Sequence, residues 1–543
     1  MSSLYHQPFQ APLTPASFLE RTVVAFPDRV AVVEGNTRYT YRTLYERVHR
    51  LARGLYRLGV QRGDRVAAVV PNTKLALELH LAVPLMGAVL VPINVRLKSK
   101  EMSYILNHSE AVVLFVDDTY AERLVPCLEE VPSVRVLIVD GTDKHFPTTR
   151  HIEQPVDVLP YESWLHSVPF DPMSVSVQDE WDLISIHYTS GTTGRPKGVM
   201  LHHRGAFINA FSEIVEMNLS PDSVYLWTLP MFHAAGWCFP WAATAVGATH
   251  VLLRKVEASR IVQLIESEGI THFCAAPPVL TMISQYLESE RTGLPGTVHI
   301  ITAAAPPSPA LLRKLESFGA KVTHVYGLTE VYGPFTINEW RKEWDALPDN
   351  QRAELKARQG IPYIGLGELT VVDDKMRQVP KDGLTMGEVL MRGNGVMLGY
   401  YKDEEATAQA FHGGWFHTGD LAVWHADGYI ELKDRQKDII ISGGENISSV
   451  EVERVLLEHP SVLEVAVIGI PDRKWGEVPK AFITVQPGEC VSVEELQTFC
   501  RKRLAHFKCP KEIEFCELPK TNTGKVQKHL LREKEREKQL NTN

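Results

Sequence analysis

Residues 188–200, YTSGTTGRPKGVM, combine the residue types that bind a polyphosphate. Glycines let the backbone approach phosphate oxygens, hydroxyls and amides donate hydrogen bonds to them, and a lysine adds positive charge. The segment is not a Walker loop, because Gly-x-x-x-x-Gly-Lys-Ser/Thr does not fit GTTGRPKG. The alternative is a flexible surface loop, but such a loop needs no particular order of these residues. We therefore predict a phosphate site formed by Thr189, Ser190, Gly191, Thr192, Thr193 and Lys197.

The elements around this segment alternate between helical and strand patterns. LYERVHRLARGLYRLG (44–59) has apolar residues at helical spacing and ends at a glycine, while RVAAVVPN (65–72), AVLVPIN (88–94) and AVVLFVDD (111–118) are typical of buried strands. This alternation predicts an α/β fold: a large N-terminal domain of parallel-rich sheets covered by helices. Ligands of such folds bind at the carboxyl ends of the strands.

The pattern changes between about 360 and 433, where short strand patterns are separated by the turn signals DDK, KDG, RGNG, HGG and ADG. We predict a small β-rich subdomain there. VEVERVLLEHPSVLEVAVIGI (450–470) and KAFITVQPG (480–488) then indicate a second, smaller α+β unit. The predicted domains are 1–433 and a mobile C-terminal cap, 434–543.

Composition excludes several classes of protein. The 543 residues carry 57 basic and 66 acidic side chains, a net charge of −9, which argues against general affinity for nucleic acid or anionic membranes. Seven scattered cysteines form no metal pattern and suit a reducing compartment, and the N-terminus lacks a secretion signal, so we expect a cytoplasmic protein. Residues 234–253 contain no Asp, Glu, Lys or Arg, but their weak apolarity fits a buried helix–strand pair better than a membrane span.

Five segments follow one another along the chain: YTSGTTGRPKGV, HVYGLTE (324–330), GGWFHTGDLA (413–422), DRQKDIIISGGENISSVEVE (434–453) and PKTNTGKVQK (519–528). Together they resemble the core motifs of the adenylate-forming superfamily, which includes acyl-CoA synthetases, 4-coumarate:CoA ligases, peptide-synthetase adenylation domains and beetle luciferases. The resemblance covers about residues 15 to 530, in the family's order and spacing. It implies a large adenylation domain followed by a small mobile domain.

The resemblance also implies roles in binding MgATP. Tyr326 would stack on adenine, Thr329 would contact the phosphate and Glu330 would hold Mg²⁺, which suits a carboxylate. Asp420 would accept hydrogen bonds from both ribose hydroxyls, with Arg435 beside it. The small-residue turn AAAPPSP (303–309), with Ala304 and Ala305, would pass close to adenine, although most relatives have a glycine there. Lys525 matches the catalytic lysine, and Lys437 matches the hinge on which the small domain turns.

The acyl and CoA sites are implied less specifically. PMFHAAGWCFPWAA (230–243) resembles the segment that lines the acyl pocket, with His233 beside the carboxylate, and Gly327 joins this pocket. Trp237 aligns with a tryptophan that gates the acyl tunnel in some bacterial relatives; a buried core histidine and a packing tryptophan are the alternatives. The expected CoA contacts are Ser442, Gly443, Gly444, Glu445, Arg473, Lys474, Trp475 and Lys508.

The implied reaction has two steps. A carboxylic acid attacks MgATP to give an acyl-adenylate and pyrophosphate, and the thiol of CoA then displaces AMP. We expect a medium-chain fatty acid, with benzoate-like and methylthio-propionate acids as alternatives. Other hypotheses are an adenylating enzyme with another acceptor, such as a carrier protein or oxygen, and a catalytically silent nucleotide-binding protein. No nucleic acid and no membrane span are expected, and a homodimer is suggested only by some relatives.

Overall fold

A computed structural model of the chain describes residues 11–141, 156–189, 196–303, 307, 309–443, 445–472, 474–520 and 526–540. The first 189 residues contain the strands β1 (Val30–Glu34), β2 (Thr37–Thr40), β3 (Arg65–Val69), β4 (Val89–Pro92), β5 (Ala111–Asp117), β6 (Val136–Asp140), β7 (Asp157–Pro160) and β8 (Leu183–Thr189). The helices between them are α1 (Phe18–Ala25), α2 (Tyr41–Arg57), α3 (Lys74–Leu85), α4 (Ser99–Ser109), α5 (Asp118–Leu128) and α6 (Tyr161–Ser167).

The next part of the chain adds β9 (Lys197–His202), β10 (Val224–Trp227), β11 (Thr249–Leu252), β12 (His272–Cys274), β13 (Val298–Thr302), β14 (Ala320–Leu328), β15 (Gly333–Ile337) and β16 (Ile361–Pro362). Its helices are α7 (His203–Glu216), α8 (Phe239–Val246), α9 (Ala258–Glu268), α10 (Pro277–Ser289), α11 (Pro309–Ser317) and α12 (Asp349–Lys356).

The remaining elements are shorter and richer in strands. They are β17 (Glu368–Val372), β18 (Met386–Arg392), β19 (Gly399–Tyr400), β20 (Phe416–Trp424), β21 (Ile430–Arg435), β22 (Ile440–Ser442), β23 (Glu445–Ile447), β24 (Val462–Asp472), β25 (Gly476–Val485) and β26 (Glu512–Phe515), with the helices α13 (Glu404–Ala410), α14 (Ser449–Leu457), α15 (Val493–Arg501) and α16 (Lys528–Leu540).

Two large sheets form the body of the molecule. One has the strand order β19-β9-β8-β4-β3-β5-β6-β7 and is parallel from β8 to β7, with β9 and β19 added antiparallel. The other has the order β16-β15-β14-β13-β12-β10-β11-β1-β2 and is parallel from β14 to β1. These sheets confirm the prediction of a large α/β domain with parallel-rich sheets.

The apolar sequence patterns explain how this body packs. Helix α3 is apolar on nearly all sides, and every residue from Leu75 to Leu85 is buried. It contacts α8, which is also buried and lies in the uncharged segment 234–253. That segment is a short 3₁₀ turn, a helix and a strand, as its weak apolarity predicted. In the part of the chain that the structure describes, no helix is long and apolar enough to cross a membrane.

Two smaller sheets follow. Strands β17, β18, β20 and β21 form an antiparallel sheet between residues 368 and 435. Strands β23, β22, β25 and β24 form the last sheet, and β26 pairs with β25. The chain passes from one sheet to the other between Arg435 and Ile440. The division at residue 433 into a body and a mobile cap remains a prediction.

Candidate active site

The glycine-rich segment joins two paired strands of the first large sheet. Thr189 is the last residue of β8, Lys197 is the first of β9, and the two are direct antiparallel partners. Ser190, Gly191, Thr192 and Thr193 lie outside the described residues. Thr189 and Lys197 therefore lie side by side at the ends of the two strands that the glycine-rich segment connects.

Residues of three strands meet at one carboxylate, that of Asp420. The Tyr326 hydroxyl, at the end of β14, donates a hydrogen bond to Asp420 Oδ2 on β20 at 2.7 Å. Arg435, the register partner of Asp420 on β21, has its Nε 3.3 Å from Asp420 Oδ1. Burial, with Asp420 nearby, raises the pKa of Tyr326 well above its usual range, so this hydroxyl stays a donor. The structure thus brings these three predicted residues together.

Glu330 lies in a short turn, Thr329–Val331, directly after β14. The Tyr400 hydroxyl donates to Glu330 Oε1 at 3.0 Å, and burial raises the pKa of Glu330. Across the described residues, no group of three or more His, Cys, Asp or Glu side chains could hold a metal ion. A single carboxylate fits Mg²⁺, which is usually bound through one or two carboxylates together with substrate phosphates.

The predicted acyl segment packs tightly against β15. A Cβ added to Gly333 would lie 2.5 Å from Trp237 Cδ1, and one added to Gly327 would lie 1.7 Å from the Gly333 carbonyl oxygen. Neither glycine can therefore carry a side chain here. Trp237 is 7% exposed and has φ of +53°, a conformation that L-residues adopt only when packing enforces it. Trp237 and Gly327 thus both pack against Gly333.

His233 follows a stretch of backbone held by side chains of the other large sheet. The Asn72 amide donates to the carbonyls of Trp227 and Leu229 at 2.8 and 2.9 Å, and its Oδ1 accepts from Met231 N–H at 2.8 Å. The His187 ring nitrogen Nδ1 lies 3.3 Å from the Phe232 carbonyl oxygen. Burial, together with His80 nearby, lowers the pKa of His187 to about 3, so this ring is neutral.

The predicted hinge lies between the last two sheets. Lys437 sits in a short turn, Gln436–Asp438, and burial together with Arg435 lowers the pKa of its ammonium group. Across this turn, the Ser449 amide donates to Asp434 Oδ2 at 2.5 Å and the Ser448 hydroxyl donates to the Lys433 carbonyl at 2.5 Å. Residues on both sides of the hinge are therefore in direct contact.

The predicted CoA residues are placed unevenly. Ser442 and Glu445 are partners on paired strands, where Ser442 is buried and Glu445 is exposed. Gly443 lies against the Trp475 ring: a Cβ added to Gly443 would be 2.8 Å from Trp475 Cε3. Lys474 Nζ lies 4.7 Å from the Trp475 ring centroid. In contrast, the Lys508 ammonium is bound by both Glu451 carboxylate oxygens at 2.8 Å.

Five further predicted residues, Ala304, Ala305, Gly444, Arg473 and Lys525, lie outside the described residues. The chain on either side of Lys525 is held together, since Lys520 and Val526 form an antiparallel bridge and Gln527 N–H donates to the Pro519 carbonyl at 2.8 Å. Lys528 Nζ contacts Glu453 at 2.7 Å and Ser449 at 2.6 Å. The base of the segment that carries Lys525 is thus anchored in the small domain.

Sequence reasoning missed three residues of these sites. Tyr400 contacts Glu330, Asn72 supports the acyl segment, and Lys511 brings its ammonium 5.8 Å from the Trp475 ring centroid. The motifs gave no signal for Asn72, which lies about 160 residues from its partners. Tyr400, in the segment GYYKDEE, also lies outside every motif considered.

The two α/β sheets, the carboxylate shared by three strands and the glycine-rich strand connection define an adenylate-forming enzyme. The family model for the AMP-binding enzyme matches residues 19–401, and that for the AMP-binding enzyme C-terminal domain matches residues 451–525. The chain belongs to the AMP-binding enzyme family, of the acyl-CoA synthetase type.

Relatives cover nearly the whole chain. It is 48% identical to 4-hydroxybutyrate–CoA ligase 2 of Metallosphaera sedula, covering 96% of this chain and 94% of the relative. It is 44% identical to the peroxisomal acetate/butyrate–CoA ligase AAE7 of Arabidopsis thaliana, covering 97% and 95%. The crystal structure of the anthranilate CoA ligase AuaEII with anthranoyl-AMP superposes with a TM-score of 0.85 at 28% identity, covering 97% and 98%.

The protein is therefore an AMP-forming acid–thiol ligase. It uses ATP, Mg²⁺ and CoA to convert a carboxylic acid into its CoA thioester.

Proposed function

We propose that the substrate acid is a short, linear carboxylate of roughly two to five carbons. The main support for this size is the packing of Trp237 on Gly333. A buried indole that leaves no space for a Cβ at Gly333 supports a shallow pocket. The names of two relatives, which specify 4-hydroxybutyrate and acetate or butyrate, agree with this size. The longer medium-chain acid, benzoate-like acids and methylthio-propionate are the competing substrates.

A panel of acids tests this proposal. ATP–pyrophosphate exchange is measured with the acids from acetate to decanoate, 4-hydroxybutyrate, benzoate and methylthio-propionate. We expect the highest kcat/KM for acids of two to five carbons. An optimum at eight or more carbons, or with benzoate, would overturn the proposed size.

The variant Trp237→Gly tests the role of the indole. Glycine adopts a φ of +53° without strain, so this change opens space while favouring the observed backbone. We expect the optimum to move by at least two carbons toward longer acids. Trp181→Gly, at an exposed tryptophan, is the control and should leave the chain-length profile unchanged.

We also propose roles for the residues of the nucleotide site, based on the contacts among them. Asp420, held by Tyr326 and Arg435, accepts the ribose hydroxyls, and Lys197 with the glycine-rich segment binds the phosphates. Glu330 would hold Mg²⁺, which neutralises phosphate charge when bound. The substrate carboxylate is itself the nucleophile, so the protein's task is positioning and charge stabilisation.

Lys525 is the proposed catalytic residue of this step, where it would stabilise the charge that develops between the carboxylate and the α-phosphate. The variant Lys525→Ala should lose adenylation by a factor of at least 100 and retain ATP binding. Unchanged exchange kinetics would contradict the assignment.

In the second step the cap turns about Lys437 and presents the Gly443 region to the acyl-adenylate. The Gly443–Trp475 contact, with Lys474 and Lys511 near the indole, supports a path for pantetheine beside an aromatic surface for the CoA nucleotide. Lys508 is a weaker candidate for a CoA contact, because the Glu451 carboxylate already neutralises its charge. Mass spectrometry of the product formed with CoA, and with a carrier protein in its place, tests the acceptor.

Two further proposals concern the protein in the cell. We propose a cytoplasmic location, supported by seven cysteines that are all free thiols. Imaging of the tagged chain against compartment markers tests it. The homodimer suggested by some relatives is tested by light scattering, where a mass of twice 61.0 kDa is expected.

A further inference from the structure

Tyr400 lies between two side chains that serve the proposed MgATP site. Its hydroxyl donates to Glu330 Oε1 at 3.0 Å. The ammonium group of Lys197 lies 4.8 Å from the centroid of its ring, within the range of a cation–π contact. One residue therefore contacts both the carboxylate proposed for Mg²⁺ and the lysine proposed for the phosphates.

The backbone around Tyr400 is fixed from several directions. Strand β19 pairs with β9, placing Tyr400 opposite Val199, two residues after Lys197. The Tyr400 amide donates to Thr407 Oγ1 at 2.9 Å, and Met397 N–H donates to the Glu330 carbonyl at 2.8 Å. Lys197 is thus tied to β19 through strand pairing, and Glu330 is tied to Met397, two residues before β19, so the fold sets the position of the ring relative to both.

We propose that Tyr400 is a positioning residue for MgATP, whose hydroxyl orients the Glu330 carboxylate and whose ring holds the Lys197 ammonium. The hydrogen bond to Oε1 restricts the rotation of the carboxylate, so that a cation meets it in one orientation. The ring attracts Lys197 without a negative charge, so that its charge remains available for phosphate.

This inference rests on the proposed roles of Glu330 and Lys197, and two variants separate its parts. Tyr400→Phe removes the hydroxyl and keeps the ring, whereas Tyr400→Leu removes both. The control is Tyr401→Phe, at the neighbouring tyrosine whose ring lies beside His108 and Lys402. Thermal melting of each variant verifies that it is folded.

The measurement is calorimetric binding of α,β-methylene-ATP, once with Mg²⁺ and once with EDTA. We expect Tyr400→Phe to weaken binding at least about 10-fold with Mg²⁺ and by less than 2-fold with EDTA, since a hydrogen bond to a charged group contributes a factor of about ten or more. Tyr400→Leu should also weaken binding in EDTA, because Lys197 loses its support. Tyr401→Phe should resemble the wild type.

Equal affinity of Tyr400→Phe and wild type with Mg²⁺, or an equal loss in both conditions, would overturn the role of the hydroxyl. Wild-type affinity of Tyr400→Leu in EDTA would overturn the role of the ring. Failure of the wild type itself to bind the analogue would instead contradict the proposed nucleotide site. If Tyr400→Leu does not fold, the Tyr400→Phe result still decides the hydroxyl's role.

Discussion

At the scale of single residues, the carboxylate of Asp420 shows how the site is prepared before its ligand binds. One oxygen accepts from Tyr326 and the other faces Arg435, so the side chain has little rotational freedom left. Holding a group in its bound geometry lowers the entropic cost of binding. Tyr326, expected to contact adenine, thus also holds the carboxylate proposed to bind the ribose.

The variant Tyr326→Phe removes this support while keeping the ring. We expect the KM for ATP to rise about tenfold, because a hydrogen bond to a charged group contributes roughly 1.5–3 kcal/mol, while the KM values for the acid and CoA change little. Steady-state kinetics with each substrate varied in turn measures the effect. Tyr429→Phe, which loses a partly buried hydrogen bond to the Glu339 carbonyl, is the control. An equal rise there would contradict a specific role.

A second residue, Glu213, is fully buried on α7 beside the core. Tyr363 donates to its Oε2 at 3.4 Å, while its Oε1 and the Oδ1 of Asn209, one helical turn earlier, have no donor within the described part of the chain. Burial raises the pKa of Glu213 well above its usual range. The folded protein therefore keeps a proton that the unfolded chain releases above about pH 4.5.

Because the unfolded chain binds fewer protons, this group lowers the free energy of unfolding as the pH rises above about 4.5. The variant Glu213→Gln removes the titratable carboxyl group and keeps a hydrogen-bond donor at this position. We expect its melting temperature to exceed that of the wild type by about 1–3 °C at pH 8, with a smaller difference at pH 5. Scanning calorimetry at both pH values tests this. A pH-independent difference, or the same result for the exposed Glu266→Gln, would refute it.

At the scale of elements, the connection between β3 and α3 supports the acyl segment after β10. Asn72 is 6% exposed, and its three hydrogen bonds to the backbone of residues 227–231 join the two large sheets just before His233. The proposed acyl histidine is thus placed by an element of the other sheet.

Asn72→Ala should therefore raise the KM for the acid and lower the rate of adenylation at least tenfold, because three backbone groups lose their partners. The KM for ATP should change less than threefold. Asn72→Asp keeps only the oxygen that accepts from the Met231 amide, so its kinetic constants should lie between those of the wild type and Asn72→Ala. Thr73→Ala is the control, since the Thr73 hydroxyl contacts no partner in the described residues. Equal effects on the acid and on ATP would indicate a general loss of structure instead.

At the scale of the whole molecule, the proposed second step depends on the small domain. Gly443 has φ of +61° and lies against Trp475, so a side chain there meets both backbone strain and the indole. The proposed adenylation step uses residues of the body together with Lys525, so we expect it not to depend on this contact.

We expect Gly443→Val to reduce formation of the CoA thioester at least tenfold while ATP–pyrophosphate exchange stays within threefold of wild type. The control is Gly488→Val in the same domain, where φ is +84° but no atom lies within 4 Å of the added Cβ. This control imposes similar backbone strain and should keep both half-reactions. A parallel loss of exchange and thioester formation in Gly443→Val would contradict the separation.

Periodicity and turn signals predicted the elements of several segments, because amphipathic and buried patterns are local properties of the chain. Helix α2 and strands β3, β4 and β5 lie where their patterns indicated, and the uncharged segment 234–253 contains a helix–strand pair. The motifs likewise predicted Tyr326, Asp420 and Arg435, which the fold brings together.

By itself, the sequence determined the α/β class, the family and the residues whose chemistry suits MgATP. Only the tertiary structure decided that Tyr400 contacts both Glu330 and Lys197, that Asn72 supports a segment about 160 residues away, and that Glu451 neutralises Lys508. The physical reason is that residue type and spacing encode local conformation and chemical capacity. Contacts between distant residues depend on how whole sheets and helices pack.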